Sequence, residues 1–272
     1  EPSNGDSPLI ANGANNAAFV GDYYNLRNFK FTGTGNPGLN VGAGNILFNI
    51  NSLNSSSTPN RISIQASVAV RLLNSEVVST NGVAYTPLAT VTSGLVIGNY
   101  IHHSTVGINM NSADGMLISN NLFEACASSA LVFLGPNSSR NHVTYNTFYG
   151  SSTPNGIAIF GAAAPIENTF LGNNIVNWAT GTFFINGFNS NVFNYNNWYG
   201  NNVDVSSTIF KGITSFALDP QFVSTTTSNF AIGNNLRAKG IPGPFGVSAS
   251  TGFLDLGAVQ RKEMMKAHSF GE

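Results

Sequence analysis

The feature that most constrains this chain is an asparagine that returns once per structural unit, in its regular members two residues ahead of an apolar side chain. The clearest members are Asn99, Asn120, Asn146, Asn173 and Asn196, followed by Ile101, Leu122, Phe148, Ile175 and Trp198. Their spacing, roughly 21 to 27 residues, is that of a repeat protein whose units stack on their neighbours. Less regular members precede them at Asn28, Asn51 and Asn74.

Taking the five regular asparagines as a common origin, the residues three positions earlier are Val96, Leu117, Val143, Phe170 and Phe193, again apolar. Side chains of a strand alternate between two faces. An apolar position at an odd offset on one side and an even offset on the other therefore needs a change of phase at or near the asparagine. Asparagine suits such a bend, because it tolerates left-handed backbone and hydrogen-bonds its own main chain. A third apolar segment follows in each unit, as in Ala130–Leu134 and Gly156–Phe160, and is closed by Gly, Pro, Ser and Asn turns. Three short strands and three bends per unit predict an all-β chain, a parallel β-helix of about eight coils. Stacked asparagine amides donate to one coil and accept from the other, so a buried row satisfies its own polar groups.

Composition agrees. Apolar residues make up 42% of 272, enough for an extensive core, and charged residues only 8%, against about 25% in an average domain. Neutral polar side chains suit long sheets, where like charges one strand apart would repel. The formal net charge is −1 and the eleven Lys and Arg form no stripe, so a nucleic-acid partner is not expected. No apolar run is long enough to span a membrane. The single cysteine, Cys126, permits no internal disulfide and no cysteine metal site. The first residue is Glu1 rather than Met, which fits a processed or fragment start.

Residues 1–20 read as an extended lead-in and 21–205 as the coils. Residues 206–260 read as an irregular C-terminal cap covering exposed strand edges, and 261–272 as a tail.

The repeat Leu-Ile-Ser-Asn-Asn-Leu-Phe (117–123), the segment Gly-Ile-Ala-Ile (156–159), and the ending Asp-Pro-Gln-Phe (219–222) with Asp-Leu-Gly-Ala-Val-Gln (255–260) resemble the right-handed parallel β-helix repeat proteins of bacteria and their phages, the pectate-lyase-like superfamily. The resemblance implies a single-stranded right-handed coil. That group includes lyases, hydrolases, tailspikes, virion surface proteins and adhesins, so fold alone selects no activity.

Two charged rows are candidate chemistry. Asp114, Arg140 and Glu167 share one offset from the asparagine, with Arg140 as the candidate base of a lyase-like site. His103 and Glu124 share another and could exchange a proton. His102, Phe123 and Tyr149 make an aromatic row, and Phe123, Tyr149, Trp198 and Tyr199 are candidate sugar-stacking residues. There is no Asp-Asp, Asp-x-Asp or Glu-Glu pair, whereas a glycosidase needs two carboxyls at a set separation. No metal ligand set and no cofactor motif stands out. The expectation is therefore a non-catalytic structural β-helix on a virion surface, as a capsid decoration or spike, or in another extracellular assembly, with protein subunits as partners. The rival expectations are a polysaccharide lyase or hydrolase, and a carbohydrate-binding adhesin module with surface glycans as partners.

Overall fold

The computed structural model describes residues 9–12, 18–34, 37–55, 61–67, 69–87, 92–135, 138–151, 156–162, 167–185, 190–206, 209–236, 239 and 256–258. Valine, isoleucine, phenylalanine and threonine favour the pleated, half-buried surface, and here they form short strands joined by sharp corners. One coil runs through Tyr100–His102, Val106–Met110 and Leu117–Ser119, and the next begins at Leu122–Glu124. Each strand pairs, parallel, with its counterpart one coil away, giving, among the described residues, three sheets of nine, nine and eight strands in strict sequential order. Sheet 1 contains Tyr100–His102, sheet 2 Val106–Met110 and sheet 3 Leu117–Ser119. Helix is confined, among the described residues, to one 3-10 turn at Asn234–Leu236. The architecture is an all-β parallel solenoid with three strands per coil.

Three interior columns fill the coil. In sheet 3, Val96, Ile118, Val143, Phe170 and Phe193 lie in register. In sheet 1, the column is Val77, Ile101, Phe123, Phe148, Ile175 and Trp198. Sheet 2 contributes Tyr85, Ile108, Leu131 and Ile159. Aromatic neighbours stack one coil apart: Phe170 on Phe193 with ring centroids at 4.4 Å, and Phe123 on Phe148 at 4.7 Å. Burying each such side chain stabilises the fold by about 1.5–3 kcal/mol, and a ring pair adds about 0.5–1.5 kcal/mol.

The corner between sheets 3 and 1 divides between two adjacent positions the roles expected of one asparagine. The first position has positive φ and is held by Asn28, Asn49, Asn74, Gly98, Asn120, Tyr145, Gly172 and Tyr195. This left-handed residue turns the chain and switches the strand phase. The next residue points its side chain inward and forms the ladder, which is Ser75, Asn99, Asn121, Asn146, Asn173 and Asn196. Asn146 is typical. Its Nδ2 donates to the Ile118 carbonyl at 2.9 Å and to Asn173 Oδ1 at 3.0 Å, and its Oδ1 accepts from the backbone N–H and the Nδ2 of Asn121, both at 2.9 Å. At the N-terminal end Ser75 replaces the amide, its N–H donating to Asn99 Oδ1 and its Oγ accepting from the Ile50 N–H.

The rung in the second regular coil is thus Asn121, not Asn120. The Asn120-Asn121 doublet offers either residue as the origin, and only the register decides. The shift moves that coil's interior residues to Ile118 and Phe123, where the sequence suggested Leu117 and Leu122. A second ladder, with no counterpart in the sequence reading, lies at the corner between sheets 2 and 3. There Met116 N–H donates to Asn141 Oδ1, Asn141 Nδ2 to Asn168 Oδ1, and Asn168 N–H to Asn191 Oδ1.

Stacking begins within the segment read as a lead-in, because Leu9–Asn12 and Ala18–Val20 pair in parallel with Lys30–Gly33 and Leu39–Val41. At the other end Phe216 joins the last strand of sheet 1: Phe216 N–H donates to the Asn196 carbonyl, and Trp198 N–H to the Phe216 carbonyl. The chain then runs back along the outer face of sheet 1. Phe222 and Phe230 pack on Tyr149 and Val176, while Leu256 sits with Ile232 and Leu236. Gly257, at φ 93°, brings its backbone against Thr147 and Asn174, where a Cβ would lie 2.6 Å from Thr147 Oγ1. Residues 261–272 lie outside the described residues. Among those described, no helix is long and apolar enough to cross a membrane.

Candidate functional site

Side chains with chemistry gather on the outer face of sheet 1. The middle residue of each short strand points into the coil, so the first and third face outward. One outward column is Glu76, Tyr100, Leu122 and Thr147, and the other includes His102, Glu124, Tyr149, Val176 and Tyr199. Glu76, Tyr100, His102 and Glu124 thus meet across three coils.

 Their contacts follow from that register.

Glu76 accepts a hydrogen bond from Asn51 Nδ2 at 2.6 Å and faces His102 Nε2 at 2.9 Å. A carboxylate only accepts, so Nε2 carries the proton. In neutral His102 the Nδ1 then accepts from Nδ1–H of His103, 2.8 Å away. The His102 ring stacks on Tyr100, with centroids 4.0 Å apart. Tyr100 donates its hydroxyl to Glu124, and Ser228, from the returning C-terminal segment, donates to the same carboxylate oxygen at 2.9 Å. Glu124 is buried. Burial first, and then the hydrogen bond to Glu124, raise the Tyr100 phenol above its ordinary value. Tyr100 is therefore a proton donor at neutral pH and not a base. Beside the cluster, a polar cavity of about 400 Å³ is lined by Phe29, Asn51, Asn74, Glu76 and Tyr100.

The expected rows are regrouped by the one-residue shift. Glu124 lies opposite His102, and His103 turns the corner with φ 48°. Arg140 and Glu167 occupy equivalent left-handed corner positions, but Gly115 holds that position in the coil before them, not Asp114. Asp114 still forms an ion pair with Arg140, whose side chain is 63% exposed, and such a pair contributes about 1 kcal/mol or less. Glu167 is exposed, and no ion pair joins it to Arg140 among the described residues. Arg140 is therefore a corner residue with an acidic partner, not the centre of a three-charge row.

Of the four candidate stacking residues, Phe123 and Trp198 point into the core and present no face to a ligand. The aromatic row also separates, because His102 and Tyr149 face outward and Phe123 inward. Tyr149 is covered by Phe222 and Phe230, with ring centroids at 6.0 and 5.1 Å. Tyr199 is partly exposed. Cys126 is buried and its thiol is pushed up to about 12 by burial, which makes it a poor nucleophile. Among the described residues no three His, Cys, Asp or Glu side chains converge as a metal site would require.

Glu76, Tyr100 and Ser228 were missed by sequence reasoning. Glu76 and Tyr100 would have emerged from the corrected phase, since they flank His102 in the outward columns. Ser228 carries no local signal. An apolar cavity lies elsewhere, at the C-terminal end, where Phe184, Val192, Phe193, Ile209, Phe210 and Ile213 line about 440 Å³.

No protein-family model matches the sequence, and comparison with curated proteins gives no match. The class is accordingly the one its geometry defines, a parallel β-solenoid with asparagine ladders.

Proposed function

We propose that this chain is a non-catalytic structural β-helix, a rigid rod that forms part of a phage virion surface or another extracellular assembly. The observation that carries this reading is the apolar surface at the C-terminal end of the coils. Phe210 is 73% exposed and Ile213 91%, beside the half-exposed Val192. Contiguous exposed apolar surface of this kind marks sites of protein–protein contact. The ionisable groups of sheet 1 support the same reading, since Glu76 and Glu124 are each engaged by partners within the chain. The test is to follow the chain through density-gradient sedimentation of the native source. It should travel with high-mass particles, and a Phe210→Ser, Ile213→Ser double variant should be lost from them while keeping its fold. A wild-type chain found only as a free monomer overturns the proposal.

A polysaccharide lyase or hydrolase is the second reading, favoured by one observation: two carboxylates, Glu76 and Glu124, flank His102 and Tyr100 on one outward face. It requires cleavage of a polysaccharide that Glu76→Gln and Glu124→Gln each reduce by at least about 100-fold, the scale of a lost general acid or base. Cleavage unaffected by either substitution removes this site from consideration.

A further inference from the structure

We infer that residues 224–229 form a latch over Glu124 and Tyr100, held shut by the hydroxyl of Ser228. The tip is a closed turn in its own right. Asn229 N–H donates to the Ser224 carbonyl at 2.7 Å and Ser224 N–H to the Asn229 carbonyl at 3.1 Å, so the turn does not need the solenoid to keep its shape. Among the described residues, its hydrogen bonds to the coils run through one side chain. Ser228 Oγ lies 2.9 Å from Glu124 Oε2 and 3.1 Å from the Tyr100 hydroxyl.

Ser228 delivers that hydroxyl from φ 52°, a conformation that L residues with a side chain hold only where contacts repay it. Behind the tip, Phe222 and Phe230 pin the arm to Tyr149 and Val176. Nearer the start of the arm, a hollow of about 500 Å³ separates it from Asn177 and Tyr199. A pinned base, a self-contained tip, a single polar attachment and an unfilled space under the arm describe an element that can lift without unfolding the coils. Lifting it exposes the carboxylate of Glu124 and the hydroxyl of Tyr100, and leaves His102 and Glu76 joined as before. This proposal concerns access to the cluster and does not depend on whether the rod belongs to an assembly.

The test uses the full chain and two measurements. Hydrogen exchange should show the amides of Ser224 and Asn229 losing protection about tenfold in Ser228→Ala, the scale of one hydrogen bond to a charged group. The amides of Asn146 and Asn173 should not change. Carbodiimide labelling located by mass spectrometry should rise severalfold at Glu124 in the same variant. Tyr100→Phe, which keeps the Ser228–Glu124 bond, should leave the tip's exchange near that of the wild type. Unchanged exchange and labelling in Ser228→Ala overturn the latch. So does a loss of protection spread equally over the coils, which would make Ser228 a general contributor to stability.

Discussion

At the scale of single residues, this fold separates the residue that bends the chain from the residue that holds the bend. Asn120 and Asn121 are neighbours of one type with opposite surroundings. Asn120 has φ 54° and its Oδ1 accepts from Ser119 Oγ, whereas Asn121 is wholly buried and bonded to both neighbouring rungs. Other buried groups are less well served. The Tyr85 hydroxyl lies in the core with no hydrogen-bond partner among the described residues. Tyr85→Phe should therefore raise stability by about 1 kcal/mol, read as a higher denaturant midpoint, because it removes an unpaired polar group and leaves the ring.

The alkaline limb of stability follows from the same burial. Burial raises the Tyr85 phenol above 10.0 and the Cys126 thiol from 9.0 to about 12. Above about pH 9 the unfolded chain releases protons that the folded chain retains, so the unfolded state binds fewer of them and stability falls as pH rises. Both groups contribute their full stability below those unfolded values. Unfolding midpoints measured between pH 8 and 11 should decline in the wild type and decline less in a Cys126→Ala, Tyr85→Phe variant.

At the scale of elements, the strands were legible because each carries its own alternation and each coil its own corner. What escaped was phase and distance. The Asn-Asn doublet allows two origins, and choosing the wrong one displaced Glu124 from His102 to His103 and placed Asp114 in the Arg140 row. The returning arm escaped for a different reason. Ser228 and Glu124 are 104 residues apart, and nothing periodic links them. The arm's hold on sheet 1 rests chiefly on its two aromatic anchors, so Phe230→Ala should free it. Truncating a buried phenylalanine costs about 3–5 kcal/mol, and the expected result is rapid proteolysis between Asp219 and Leu236 with the coils intact. Cleavage no faster than in the wild type would show that the anchors do not hold the arm.

At the scale of the molecule, repeat and composition were enough for the architecture, since a chain with a polar amide recurring in each apolar coil and few charges has few other ways to satisfy its polar groups. They were not enough for the site, which depends on an outward register and on a distant segment. In a solenoid each coil contacts only its neighbours, so stability accumulates along the ladder and a broken rung is felt by the coils on both sides. The ladder is continuous through Asn121, and the most direct measurement of that continuity is denaturant unfolding of two single variants. Asn121→Ala strips partners from the buried amide of Asn99, the Val96 carbonyl and Asn146 Oδ1; it should cost about 2–5 kcal/mol. Asn120→Gly keeps the left-handed corner and should change stability by less than about 1 kcal/mol. Equal losses in the two variants, or a larger loss at Asn120, would contradict the ladder as assigned.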